Sequence, residues 1–186
     1  MCGMCVERRL FRRLGDDEFV LSFNCGEKYS DLNDFIINDA PYYRKELLAV
    51  SYVIEDSDTI SAYFSLANDR IGIEDFESNN IFNRFRKKTF LNSKRIKHYP
   101  AVKLCRLGVS VERQSSGLGS LILDAIKWYF LDDNKTGCRY ITVDAHRDAV
   151  PFYLKNGFKI LTESEDSPND RTCLMFYDLM ALKLSV

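Results

Sequence analysis

The pattern of apolar and polar residues predicts a chain of short strands with a few amphipathic helices. Residues 47–54 and 59–67 are two β-prone runs separated by a short acidic segment, which is typical of an antiparallel hairpin. Apolar residues recur at helical spacing over 32–36, after a capping position at Ser30 or Asp31, and indicate an amphipathic helix packed on the core. Residues 6–13 are a candidate edge strand.

The second half of the chain carries the strongest pattern. A strand over 101–111 is followed by a glycine-bearing turn, by an apolar helix over 117–132 and by a second strand over 140–145. This order of elements predicts two parallel strands joined by a right-handed crossover. A short helix and two closing strands, at 159–162 and 173–179, complete an α+β prediction with a mixed, mostly antiparallel sheet.

Length and composition indicate one folded domain over residues 1–186, with an irregular insert at about 68–100. Hydrophobic residues make up 46% of the chain and charged residues 28%, which excludes a disordered protein. The net charge of −1 gives no overall attraction to nucleic acid or to anionic membranes. No apolar run reaches the ~18 residues that span a bilayer, and the first residues lack an apolar signal core. A cytoplasmic protein without a membrane partner is therefore expected.

The cysteines give little support for a metal site. Of six cysteines, only Cys2 and Cys5 have metal-like spacing, and neither a second cysteine pair nor a histidine pair completes a zinc site. We expect no metal, and we interpret the scattered cysteines as small buried apolar residues.

The turn Gln114-x-x-Gly117-x-Gly119 lies where the apolar helix begins. Glycines at a helix start leave backbone N–H groups uncovered at the positive end of the helix dipole, which suits a phosphate or a diphosphate. A simple helix cap is the alternative interpretation.

A basic stretch lies between residues 84 and 97. It contains no acidic residue, and Phe85 and Phe90 are interleaved with its cations, which are Arg84, Arg86, Lys87, Lys88, Lys94, Arg95 and Lys97. Such a stretch either binds phosphate backbones while its aromatic rings stack on bases, or forms a solvated helix whose aromatic rings pin it to the sheet.

Two motifs together resemble those of the GNAT N-acetyltransferase family. The first is the glycine turn, in which Ser115 stands where the family often has glycine. The second is Ala149-x-x-Phe152-Tyr153-x-x-x-Gly157-Phe158, and the expected helix, strand and turn lie between the two. The N-terminal segments Phe-Asn-Cys-Gly and Leu-Asn-Asp-Phe resemble a subgroup that includes toxins paired with antitoxins. The resemblance implies a GNAT fold with helices on both faces of the sheet, and acetyl-CoA as cofactor.

The resemblance also assigns roles to residues. It places the diphosphate on backbone N–H groups of Gln114, Ser115, Ser116, Gly117, Leu118, Gly119 and Ser120. The pantetheine arm follows the strand at Leu107, Val109 and Val111, and a strand N–H near Val109 serves as oxyanion donor. Tyr153 matches the tyrosine that protonates the departing thiolate, with a core-packing aromatic as the alternative. The general base stays open among Glu112, Asp144, His146 and water.

The resulting hypothesis is an acetyl-CoA-dependent N-acetyltransferase that acylates a primary amine by direct attack in a ternary complex. The acceptor is left open. One alternative is a toxin-type enzyme that acetylates aminoacyl-tRNA, with a tRNA contact through Arg84–Lys97. Another is a non-catalytic module that binds CoA or RNA. A homodimer and an antitoxin partner are also left open by the sequence.

Overall fold

The structure, a computed structural model, describes residues 11–56, 59–89, 96–132, 134, 136–161 and 171–184, with the backbone alone for 88 and 89. Its strands are β1 (Arg12–Arg13), β2 (Val50–Asp56), β3 (Thr59–Gly72), β4 (His98–Val109), β5 (Tyr140–His146), β6 (Lys159–Ile160) and β7 (Thr172–Asp178). They form a sheet in the order β1-β2-β3-β4-β5-β7-β6. The α-helices are α1 (Ser30–Asp34), α2 (Ala40–Lys45), α3 (Asn79–Thr89), α4 (Leu118–Leu131), α5 (Val150–Lys155) and α6 (Leu179–Lys183).

Strand pairing confirms the predicted α+β class. Antiparallel ladders join β1 to β2, β2 to β3, β5 to β7 and β6 to β7. The pairing of β4 with β5 is parallel, and α4 lies between these two strands in the chain. The predicted hairpin and the predicted parallel pair with a helix between its strands are therefore both present, while the right hand of the crossover stays a prediction.

The chain divides into two compact units. The first comprises residues 1–68 and 104–132, and the second comprises residues 69–103 and 133–186. Strands β3 and β4 each contribute residues to both units. The single domain over 1–186 with an insert at 68–100 stays a prediction from the sequence.

In the first unit, a helical segment (residues 27–45) covers an apolar core. It runs through a 3₁₀ turn (Glu27–Tyr29), α1, a π-helical turn (Phe35–Asp39) and α2. Phe35 and Ile36 are buried, as the helical spacing predicted. The predicted cap at Ser30 or Asp31 is wrong, because the helical turn begins at Glu27 and no side chain caps it among the described residues.

In the second unit, α3 packs its aromatic face on a cluster of buried rings. Phe85 lies 5.1 Å from Phe76, 5.7 Å from Tyr140 and 5.5 Å from Phe176, measured between ring centroids. These contacts favour the interpretation in which the aromatic residues of the basic stretch pin a helix to the sheet. They also make residues 68–100 less irregular than predicted, since β3, α3 and β4 occupy most of this range.

Helices α4 and α6 also differ from the sequence prediction. The helix predicted over 117–132 is α4, which is not buried all round, since Leu121 and Tyr129 are 52% and 49% exposed. Helix α6 follows the last strand without having been predicted. Within the described ranges, no helix is both long enough and apolar enough to cross a membrane.

Candidate functional site

The glycine turn starts where β4 leaves the sheet. The strand ends at Val109, and a 3₁₀ turn occupies Val111–Arg113. The N–H of Ser110 donates to the Ser61 carbonyl at 2.9 Å, and the N–H of Val111 donates to the Asn24 carbonyl at 2.9 Å. The predicted strand through Val111 is therefore wrong at its end. The N–H of Val111 bonds to Asn24, just before the helical segment, and not to β3.

Two residues in the turn have left-handed backbone conformations. Ser115 has φ 60° and Gly117 has φ 86°. A Cβ atom built on Gly117 meets no atom within 4 Å, so the glycine is required by the backbone conformation and not by crowding. Residues 111–117 are all exposed, so the turn is open to a ligand.

Helix α4 begins directly after Gly117 and has 14 residues. The N–H groups of a first helical turn have no partner inside the helix. No side chain of the described residues caps the helix at Gly117, and the nearest substitute is a long 3.4 Å contact from the N–H of Leu118 to Ser116 Oγ. The N–H of Gln114 donates to the Ser110 carbonyl at 3.0 Å, so the predicted diphosphate contact of this N–H is wrong. A helix start without a side-chain cap is a type of position that suits an anion.

The side chain of Gln114 does not point to this anion site. Its Nε2 atom donates to the Cys25 carbonyl at 2.9 Å and to the Val109 carbonyl at 3.1 Å. Ser116 Oγ donates to the Arg113 carbonyl at 2.6 Å. Both side chains are thus bound to backbone carbonyls of the protein.

Gly108 is a residue that the sequence reasoning missed. A Cβ atom at this position would lie 2.6 Å from Tyr63 Cε1 and 3.0 Å from Phe23 Cε1. The glycine therefore lets the end of β4 lie directly against the Tyr63 ring, whose hydroxyl donates to the Leu32 carbonyl at 2.7 Å. A glycine inside a β-branched run was the available signal, since it often marks a close approach.

The parallel pairing of β4 is short. It joins Ala101, Val102 and Lys103 to Tyr140, Ile141 and Thr142, whereas β4 itself continues to Val109. The main-chain groups of Leu107 and Val109 lie in this later part of the strand, outside the parallel register.

Tyr153 lies in α5, in the second unit. Its side chain is buried, with ring centroids 5.1 Å from Phe152 and 5.4 Å from Phe158. Burial raises the pKa of the Tyr153 phenol above its usual value, so the hydroxyl keeps its proton at physiological pH. The helix ends in a left-handed Gly157, and the N–H of Phe158 donates to the Tyr153 carbonyl at 3.0 Å.

The three base candidates have different surroundings. Asp144 forms an ion pair with Lys103, whose Nζ lies 2.5 Å from the carboxylate. Glu112 is exposed in the 3₁₀ turn after β4, and His146 is exposed at the end of β5. A base is therefore still not assigned to one of them.

The basic stretch is only partly described. Arg84 and Lys87 are exposed on α3, while Arg86 is half-buried and its buried Nε donates to no described acceptor. Phe85 packs against the buried core cluster of the second unit, so its ring is not free to stack on bases. Phe90, Lys94 and Arg95 lie outside the described residues, as do Cys2 and Cys5.

Comparison with known proteins identifies the family of this loop, strand and helix arrangement. Residues 77–170, about half of the chain, match the family model described as Acetyltransferase (GNAT) domain. The chain belongs to the GNAT acetyltransferase family. Enzymes of this family use acetyl-CoA, so the predicted family, the enzyme class and the cofactor are confirmed at that level.

One curated relative supports this assignment. It is described as the uncharacterized N-acetyltransferase YjcF of Bacillus subtilis (strain 168), and it is 35% identical over 63 residues. The match covers 34% of this chain and 43% of that protein, so it spans less than half of the relative.

Solved structures share the fold over nearly the whole chain. A crystal structure of a KacT mutant has a TM-score of 0.72 at 20% identity and covers 95% of this chain and 98% of its own. AtaT complexed with acetyl-methionyl-tRNAfMet has a TM-score of 0.72 at 20% identity, over 94% and 97% of the two chains. AtaTR bound with AcCoA has a TM-score of 0.71 at 19% identity, over 94% and 96%. These similarities confirm the predicted GNAT fold.

Proposed function

We propose that this chain transfers an acetyl group from acetyl-CoA to a primary amine, which attacks the thioester directly in a ternary complex. Membership of the GNAT family is the observation that carries this proposal. The open helix start at Gly117 supports it independently, since acetyl-CoA brings a diphosphate to be bound.

The diphosphate is proposed to lie on the backbone N–H groups of residues 115–120. Ser115 and Gly117 have left-handed conformations, which are typical of turns whose backbone N–H groups bind anions. Arg113 lies at the edge of this turn and shares its charge with Asp56, to which its Nη2 donates at 2.5 Å. Backbone donors therefore supply most of the binding, and Gln114 contributes through loop geometry.

The pantetheine arm is proposed to follow the end of β4. Leu107 and Val109 lie beyond the parallel register with β5, where main-chain groups of the strand can accept an extended ligand. A strand N–H near Val109 is the proposed oxyanion donor. The N–H of Val111 is bound to the Asn24 carbonyl, so Val111 gives the arm no backbone donor.

Tyr153 is proposed to protonate the thiolate of CoA as it leaves. Its raised pKa keeps the proton on the phenol, which is a weaker acid than a thiol even at its ordinary pKa. Collapse of the tetrahedral intermediate re-forms the carbonyl and breaks the C–S bond, and the leaving thiolate takes up the phenolic proton. The proton that the attacking amine loses restores the phenol. A core-packing role for the ring is compatible with this, because the ring and the hydroxyl are different parts of the side chain.

A CoA-release assay tests the reaction. The protein is incubated with acetyl-CoA and a panel of primary amines, and free thiol is followed with a chromogenic disulfide. Amine-dependent release of CoA supports the proposal, and acetyl-CoA binding without release for any acceptor would favour the non-catalytic alternative. Tyr153→Phe should lower turnover about 100-fold with little change in acetyl-CoA affinity.

Aminoacyl-tRNA is the second candidate acceptor. The exposed Arg84 and Lys87 on α3 support it, as does the similar fold of a protein solved with acetyl-methionyl-tRNAfMet. CoA release with charged tRNA, but not with the free amino acid, distinguishes this acceptor from a small amine. A cytoplasmic location and a homodimer stay predictions from the sequence.

A further inference from the structure

Gln114 connects two segments that are distant in the chain. Both acceptors of its side-chain amide are backbone carbonyl oxygens, Cys25 O at 2.9 Å and Val109 O at 3.1 Å. A carbonyl oxygen cannot donate, so the NH₂ group of the amide must face both. The position therefore requires a side chain that offers two N–H donors.

The segment on the other side of this bridge is a tight turn at Asn24–Gly26. Asn24 Oδ1 accepts from the N–H of Gly26 at 2.9 Å, and Gly26 has φ 104°. The Asn24 carbonyl accepts from the N–H of Val111 at 2.9 Å. The turn is thus attached to the diphosphate loop (residues 110–119) by a backbone bond as well as by Gln114.

The same turn is fastened to α1. Asn33 Oδ1 accepts from the N–H of Cys25 at 2.8 Å and from Cys25 Sγ at 3.0 Å. Cys25 is buried, and desolvation raises the pKa of its thiol. Hydrogen bonds therefore run without a break from the diphosphate loop, through Cys25, to the helical segment.

We infer that Gln114 is a positioning residue that ties the diphosphate loop to the Asn24–Gly26 turn, so that binding of acetyl-CoA further stabilises this turn and the start of the helical segment. The inference rests on the proposed function and adds a structural coupling to it. Coupling between two sites is reciprocal. Loss of the bridge should therefore lower the affinity for acetyl-CoA and also destabilise the Asn24–Gly26 turn.

The chemistry of the bridge makes a sharp substitution series. Gln114→Glu has nearly the same shape but replaces the NH₂ group by an oxygen that repels both carbonyls. Gln114→Ala removes the donors without adding charge. Gln114→Arg keeps several N–H donors on a longer side chain and should restore the bridge.

Calorimetric titration with acetyl-CoA provides the first readout. Gln114→Glu should weaken binding about tenfold or more, while Gln114→Arg should stay within about threefold of the wild type. Gln114→Ala should fall between them. Equal affinity of wild type, Gln114→Glu and Gln114→Ala would overturn the inference while leaving the proposed function intact.

The second readout is alkylation of Cys25 by N-ethylmaleimide, located by peptide mass spectrometry. Without ligand, Cys25 should react faster in Gln114→Glu than in the wild type, and acetyl-CoA should slow the reaction in the wild type and in Gln114→Arg only. Cys138 is the internal control, since burial raises its pKa to about 11 and it lies in the second unit. Identical Cys25 rates in wild type and Gln114→Glu would contradict the bridge. A wild type that does not bind acetyl-CoA would instead refute the proposed function.

Discussion

Lys103 Nζ lies 2.5 Å from the carboxylate of Asp144, and the two residues belong to the paired strands β4 and β5. The ammonium of Lys103 thus occupies the carboxylate that a general base would turn to the amine. The arrangement thus disfavours Asp144 as general base, although its place near the end of a central strand made it a candidate.

Asp144→Asn should therefore be well tolerated. The amide oxygen still accepts a hydrogen bond from Lys103, so we expect kcat/KM within about threefold of the wild type and an unchanged pH profile, against the ~100-fold loss typical of a removed base. His146→Asn, measured in parallel, compares the other candidate on the same strand. A 100-fold loss for Asp144→Asn alone would contradict this account.

Leu47 offers a prediction about stability. Helix α2 ends in two hydrogen bonds, from the N–H of Leu47 to the Arg44 carbonyl and from the N–H of Leu48 to the Tyr43 carbonyl. They force φ 57° on a leucine that is 90% exposed. Leu47→Gly should raise the free energy of unfolding by about 1 kcal/mol, because glycine adopts this conformation without strain and little packing is lost.

Gly157 is the matched control, because α5 ends with the same pair of hydrogen bonds. Here glycine already holds the left-handed position, with φ 82°, and an added Cβ would lie 3.1 Å from Tyr177 Cε2. Gly157→Ala should thus lower the free energy of unfolding by about 1 kcal/mol or more. Denaturant titration of both variants beside the wild type measures the two changes. Changes of equal sign in the two variants would refute the argument from backbone conformation.

Glu18 makes stability depend on acidity. Hydrogen bonds from Arg12, at 2.6 and 2.8 Å, and from the N–H of Gly15 lower its pKa to about 2. The unfolded chain binds this proton more readily, so the stabilisation is present above about pH 4.5 and is lost as pH falls toward 2.

Thermal unfolding between pH 2 and 6 measures this effect. Glu18→Gln should lower the melting temperature at pH 6 and flatten its decline between pH 4.5 and 2. Asp17→Asn, at the adjacent exposed carboxylate, controls for the change in net charge. Parallel pH curves for wild type and Glu18→Gln would contradict the assignment. The size of the effect is reduced by solvent, since the Glu18 side chain is 37% exposed.

Arg84 and Lys87 allow a test of tRNA binding that spares the fold. Both are exposed on α3, whereas the neighbouring Arg86 is half-buried. If tRNA is the acceptor substrate, Arg84→Glu with Lys87→Glu should weaken tRNA binding at least tenfold and reduce its salt dependence. Acetyl-CoA affinity should not change. Unaltered tRNA binding would remove these residues from the interface.

The sequence predicted most of the fold because its strongest patterns are local. Strand β4, the glycine turn and α4 follow from β-branched residues, two glycines and an apolar helix that are adjacent in the chain. The ends were less predictable, since β4 stops at Val109 through bonds to Ser61 and Asn24, which are far away in sequence. Periodicity contains no information about such partners.

The candidate site shows the same division. Gly117 could be assigned from its position at a helix start, and its φ of 86° agrees. The bridge from Gln114 to Cys25 could not be predicted, because the two residues are 89 positions apart. Its acceptor is a backbone carbonyl, which every residue has, so the sequence does not mark it. Gly108 escaped notice because the ring that it accommodates belongs to β3.

The most direct test of the central claim is a calorimetric titration of the wild type, Gly117→Glu and Gly137→Glu with acetyl-CoA. Gly137 is a matched control, since it has φ 69° and, like Gly117, open space around an added Cβ, but it lies outside the diphosphate loop. The account predicts micromolar binding by the wild type and Gly137→Glu, and loss of binding in Gly117→Glu through blockage of the loop and repulsion of the diphosphate. Absence of binding by the wild type, or full affinity in Gly117→Glu, would contradict it.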